Sequence, residues 1–342
     1  MIDRRFLVSA LGALLGLTAT EALAAAKKKK TAAKKATSKK KTSKTTKKKG
    51  KAVPKKTVKK APPPKPVEPT PPPVPEVTPP EVVQALTSAF GAILREMLLA
   101  SPVLATYAGL DKAEYGEFAT LKAKLDDRSA AAQAAHVTRL QRAVDRLNAI
   151  PREQLAAADR VNYDSVLWDN SNQLALARNF TFGDSAPCGG SWSGGFPNPY
   201  IISQLSGSWQ YIPDFLDSQH AIENASDAQS YLSRLSAWAG VLDQETARAK
   251  ADFARGVVPP DFIMSKTIAA LTALRDADPA ISVLVTSLVT RTAAKGIAPS
   301  TGDTWQAQAV AIVSGPVKEA LGRQVDALTA QQSVAKHDAG VL

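Results

Sequence analysis

The chain has 342 residues, with 43 Lys and Arg against 31 Asp and Glu, three histidines and a single cysteine. Cys188 on its own makes no internal disulfide and no cysteine-based zinc finger or ribbon. The net charge of +12 is carried by residues 25–80, which hold 19 lysines and a net +17, whereas residues 81–342 carry a net −5; a folded body with excess negative charge is a poor match for nucleic acid.

The first element is residues 1–24. Arg4 and Arg5 precede an uncharged apolar run over 6–20 and the small residues Ala22, Leu23 and Ala24, the layout of an export signal with cleavage at Ala24. The run is shorter than the about 20 residues of a membrane span, so removal is expected rather than permanent anchoring. Arg4-Arg5-Phe6-Leu7 resembles a twin-arginine signal, one residue short between the arginine pair and Phe-Leu. The expected location is the periplasm or cell envelope.

Residues 25–80 are Lys/Ala-rich and then proline-rich. Neither half of such a stretch can bury a core, and a disordered linker is predicted. Its charge suits an anionic envelope polymer or lipid; a histone-like DNA-binding role is the weaker alternative, because export removes the chain from the nucleoid.

From residue 81 the apolar spacing is helical and an all-α, irregular multi-helix array over 81–342 is predicted. Ser129 precedes Val137, Leu140, Val144 and Leu147 on one stripe, ending before Pro151. Asp159 is expected to open the next helix, with Tyr163, Leu167, Asn170 and Leu174 on one stripe. Ser226 and Gln229 read as a capping box ahead of Tyr231, Leu235, Trp238 and Leu242. Asp261 is expected to cap a helix bearing Ile268, Leu271 and Leu274. Further helices are expected over 281–294, 303–313 and 316–335, with Pro316 in a first turn.

Residues 180–208 interrupt this pattern with glycine, proline, serine and aromatic residues. A long loop is predicted, with room for a short strand over 200–203. Trp192, Phe196, Tyr200 and Trp209 either line a groove for a peptide or sugar or pin the loop to the helices.

Catalytic motifs are scarce. His136, His220 and His337 are 84 and 117 residues apart, so the paired histidines of a helical zinc site do not occur, and each reads as a surface or boundary residue. Ser193 sits in Gly-Ser-Trp-Ser-Gly, a near miss to the serine-hydrolase elbow. Phosphate-binding glycine loops are missing, Cys188 has no base near it in sequence, and Asp126, Asp127, Asp159, Asp164 and Asp169 read as solvated faces.

Four segments in order carry a resemblance: SPVLATYAGL at 101–110, LDDRSAAAQAAHVTRLQRAVDRLNAI at 125–150, ADRVNYDSVLWDN at 158–170, and YLSRLSAWAGVLDQETARAKADFARGVVPP at 231–260. Together they resemble the N-terminal half of the bacterial domain of unknown function 885, across 82–342. The resemblance implies an exported, helical, zinc-metallopeptidase-like protein acting on peptides. It places the zinc ligands in a His-Glu-x-x-x-Pro-Gly-His element of the C-terminal half, which has no counterpart here. Gly340-Val341-Leu342 resembles the start of a family Gly-Val-Trp stretch, so the sequence reads as an N-terminal portion, with no catalytic residue and no cofactor of its own, inactive alone. The alternative is a non-enzymatic envelope-binding protein on a basic tether.

Overall fold

A computed structural model describes residues 74–184, 198–299 and 302–338, and among these the chain forms ten α-helices and no strand. The predicted all-α class holds. Ala24, Trp192, Phe196, Cys188, Ser193 and nearly all of the linker lie outside the described residues.

The helices in order are α1 (Pro80–Ala100), α2 (Pro102–Tyr107), α3 (Ala130–Asn148), α4 (Ala157–Asn179), α5 (Ser208–Ser218), α6 (Ala225–Ala254), α7 (Asp261–Asp276), α8 (Val283–Ala294), α9 (Trp305–Ile312) and α10 (Lys318–Gln332). A 3-10 stretch, Ala113–Ala123, joins α2 to α3, and a π turn, Val313–Val317, joins α9 to α10.

Capping explains several boundaries. Ser129 Oγ accepts the Ala132 amide at 3.1 Å and starts α3 as predicted. The start of α6 differs. Asn224, in extended conformation, caps it by accepting the Asp227 amide at 3.0 Å, and Ser226 is already helical. Helix α4 begins two residues before Asp159, whose carboxylate instead accepts a 2.6 Å bond from Thr78 Oγ1. The Ala156 amide donates to the same hydroxyl at 2.8 Å, fixing the chain entering α1 to the start of α4. Asp261 is the first residue of α7 and makes no side-chain cap. Pro316 sits inside the π turn, not in the first turn of a separate helix. Over 200–203 no strand forms; Ser203 makes an isolated bridge with Ser206, and a second isolated bridge joins Asp184 to Asn198.

Apolar residues collect in three clusters. The largest surrounds α6, where Tyr231, Leu235, Trp238 and Leu242 are fully buried against α5, α8, α9 and α10. Burial of each such side chain contributes about 1.5–3 kcal/mol. A second cluster joins α1, α3 and α4 through Leu86, Phe90, Leu147, Tyr163 and Val166. The third holds α2 and the 3-10 stretch against the end of α1 through Leu94, Leu98, Phe118 and Leu121. Helix α1 is the one helix among the described residues long and apolar enough to cross a membrane. Its buried side chains belong to the second and third clusters, so its apolar character serves the core of this fold.

Candidate functional site

The apolar stripe of α6 also carries charge. Arg234, Glu245, Arg248 and Asp252 all lie on its buried side. A buried charge costs several kcal/mol unless it is paired and hydrogen-bonded, so each of these four has its partners close by.

Arg234 lies 4.9 Å from the centre of the Phe215 ring. Its Nε donates to the Lys124 carbonyl at 2.8 Å and its Nη2 to Thr106 Oγ1 at 2.6 Å, while Thr106 donates in turn to Asp111 at 2.7 Å. Its Nη1 is 2.8 Å from His220 Nδ1. A guanidinium only donates, so Nδ1 accepts; the His220 proton is therefore on Nε2, which donates to the Asp227 carbonyl at 2.9 Å. Burial, reinforced by Arg234, lowers His220 to about 3. Burial also lowers Arg234 to about 10. His220 is fully buried, which corrects its expected surface or boundary position. Asp126 is likewise buried rather than solvated, accepting from Ser101 Oγ at 2.9 Å and the Val103 amide at 3.0 Å at the start of α2.

A second group lies about three to five turns further along α6. Glu245 accepts from the Ser208 amide at 2.9 Å, from Ser208 Oγ at 2.8 Å and from Arg128 Nε at 3.1 Å. Arg128 Nη2 also donates to Asp184 at 2.8 Å. Arg248 donates to the Gly183 carbonyl at 2.7 Å and the Arg128 carbonyl at 3.2 Å, and Asp252 accepts the Gly183 amide at 2.7 Å. Burial holds Glu245 above the ordinary carboxylate range, opposed by Arg128 and Ser208. Gly183 has φ 59°, and a Cβ there would lie 2.4 Å from the Asn198 and Pro199 carbonyl oxygens. The ionic group thus holds Gly183 and Asp184, at one side of the 184–198 bridge, against α6.

Of the proposed groove residues, Tyr200 lines a small depression, with room for about one water, together with Ile201, Ile202, Asp252, Phe253 and Pro259. Trp209 does not join it. Its ring packs against the main core and its Nε1 donates to the Ser206 carbonyl at 3.1 Å, the pinning role. His136 is half-buried on α3, with Nδ1 3.2 Å from Arg139 and Nε2 without a hydrogen-bond partner. Burial first, then Arg139, lowers it to about 4. His337 is exposed and pairs with Asp261 at 2.9 Å.

These residues do not fit a zinc ion. The three histidines stand on separate parts of the fold, and among the described residues no three His, Cys, Asp or Glu side chains converge. The nitrogen of His220 that accepts is already faced by a guanidinium.

Fold and site define an all-α protein whose buried charges fasten neighbouring helices, and the turn at Gly183 and Asp184, to a central helix. The chain belongs to the family of bacterial proteins of unknown function DUF885, whose family model matches residues 102–340. It is similar in fold to the crystal structure of "the putative lipoprotein from Colwellia psychrerythraea", with a TM-score of 0.57 and 16% sequence identity over 75% of this chain. The chain spans 43% of the length of that structure. No curated protein matches it significantly.

Proposed function

We propose that this chain is an exported helical scaffold, the structural part of a metallopeptidase-like protein of its family rather than its hydrolytic centre. One observation carries the reading: the buried titratable groups on and beside α6 are engaged in holding helices together, with Glu245 taken by Ser208 and Arg128, and His220, just before α6, held between Arg234 and the Asp227 carbonyl. A general base or metal ligand needs a lone pair free to face substrate or ion, and these have none to offer. The signal-like residues 1–24 support export, and the metallopeptidase likeness rests on the family resemblance. A second reading, a non-enzymatic envelope-binding protein on a basic tether, is favoured by the net +17 of residues 25–80.

Calorimetric titration of the full chain with zinc, followed by a peptide-hydrolysis assay with and without the metal, tests the proposal. Weak, non-stoichiometric zinc uptake and no cleavage are expected. One tightly held zinc per chain, or zinc-dependent cleavage, overturns it.

A further inference from the structure

His220 sits where a second cation has no room. It is fully buried in the corner 219–224 that joins α5 to α6, and Arg234 beside it is fully buried as well. The hydrogen-bond partners of Arg234 are neutral: the Lys124 and Leu121 carbonyls, the Thr106 hydroxyl and the Nδ1 lone pair of His220. Asp111 stands one hydroxyl further away, beyond Thr106, and Asp126 is engaged at the start of α2. A proton added at Nδ1 would set an N–H against the Arg234 N–H 2.8 Å away, two donors and two cations with no acceptor between them. The closed corner and a charged His220 therefore exclude one another.

The charged groups that weigh on the ring from each side are positive. They are Arg234 from α6, Lys122 from the 3-10 stretch and Arg291 from α8. Lys122 is paired with Asp227 at 2.6 Å, and Arg291 holds the Leu216, Asp217 and His220 carbonyls. Tyr231, whose ring stands edge-on to His220 at 5.5 Å, donates its hydroxyl to the Leu284 carbonyl. The carboxylates of the corner itself, Asp217 and Glu223, are exposed on its outer surface, with Glu223 paired to Lys295. None of them reaches between the imidazole and the guanidinium.

We propose that the α5–α6 corner is an acid-opened latch: with His220 neutral it stays seated on Arg234, and with His220 protonated it lifts from α6 and takes the ring into water. The way out is short, because Gln219, Ala221, Glu223 and Asn224 are already exposed and the corner is itself the outer layer of the fold there. Arg234 does not follow, since its other bonds hold it to α2 and to the 3-10 stretch. The lifted ring regains an ordinary value near 6.5, whereas the seated ring takes no proton. Proton binding to the open form alone then multiplies the opening constant by about 90 between pH 7.5 and pH 4.5.

Native-state hydrogen exchange of the full chain at those two pH values tests this, read at the His220 amide, bonded to the Phe215 carbonyl, and the Glu223 amide, bonded to the Asp227 carboxylate. After correction for the intrinsic exchange rate, both protection factors should fall by about 90-fold at pH 4.5. They should also stay nearly flat as urea is added below the unfolding transition, because a local opening exposes little surface. His220→Gln, which keeps an acceptor for Arg234 but takes no proton, should remove the fall. A change of under about tenfold in the parent chain, exchange that follows urea as steeply as global unfolding, or a His220→Gln chain that keeps the full pH response overturns the proposal. The first two are read on the parent chain, so they decide the matter even where the variant fails to fold.

Discussion

Arg128 carries the largest testable share of the ionic group. It is 2% exposed and donates to both Glu245 and Asp184. Replacement by Met keeps much of the stem volume and removes the cation. Glu245 keeps its bonds from Ser208, and Asp184 keeps Arg248 at 3.7 Å. Breaking one side of a buried ion pair costs about 3–5 kcal/mol, and these remaining partners place Arg128→Met toward the lower end. With a urea dependence of about 3 kcal/mol per molar, the unfolding midpoint should fall by about 1 M.

The deficit should also depend on pH. Burial raises Glu245, and losing Arg128 raises it further, so the folded state holds the proton more tightly than the unfolded chain. Stability of the variant then falls as pH rises from the ordinary carboxylate value through the raised one. Urea titrations at pH 7 and pH 5, followed by circular dichroism, measure this. A midpoint equal to that of the parent, or a deficit that widens at pH 5, would refute the assignment of Arg128 as the counter-charge of Glu245.

Other expectations follow from the same geometry. Burial lowers His220 to about 3 and His136 to about 4, below the unfolded value near 6.5; the unfolded chain therefore binds protons first, and stability should be full above pH 6.5 and fall as pH drops below it, by up to about 1.4 kcal/mol per pH unit for each histidine. Nitrogen-proton correlation spectra should show both rings neutral from pH 8 to pH 5, and titration of either within that range would contradict the burial described. Gly183→Ala combines positive φ with a 2.4 Å clash on backbone oxygens. It should displace the bridge to Asn198 and cost several kcal/mol, on the order of the strain and packing penalties known for such sites. An unchanged thermal midpoint would show that the segment can relax.

Much of this fold was legible because helices announce themselves by period. Leu140 and Leu147 were read correctly as buried, as were Tyr231, Leu235, Trp238 and Leu242. Starts were harder to place. Ser226 and Asn224 are both good cap residues, and the choice depends on which one has extended backbone, a property of the fold around them. The ionic group escaped the reading because charged residues on a helix are usually solvated. Its signal was present all the same: Arg234, Glu245, Arg248 and Asp252 continue the three-and-four spacing set by Tyr231, Leu235, Trp238 and Leu242. Their partners Arg128, Asp184 and Ser208 are 37 to 117 positions away from Glu245 and Arg128 in sequence, beyond the reach of any local pattern. Tyr200 and Trp209 looked alike for a similar reason, since only the fold decides which of two loop aromatics turns inward.

The π turn at Val313–Val317 works as a phase adjuster between two helices that would otherwise be one. Gly315 there has φ −100° and ψ −106°, outside helical geometry, so the kink at this residue sets which side of α10 looks inward. With it, Val317, Leu321, Val325 and Leu328 all reach the core around α6. Losing one residue there would leave both helices intact and every apolar residue in place along the chain, yet rotate α10 so that its buried row faced its neighbours at the wrong angle. The sequence from 313 to 317 therefore stores an orientation rather than a contact, and an insertion or deletion in it should be tolerated far less well than a substitution.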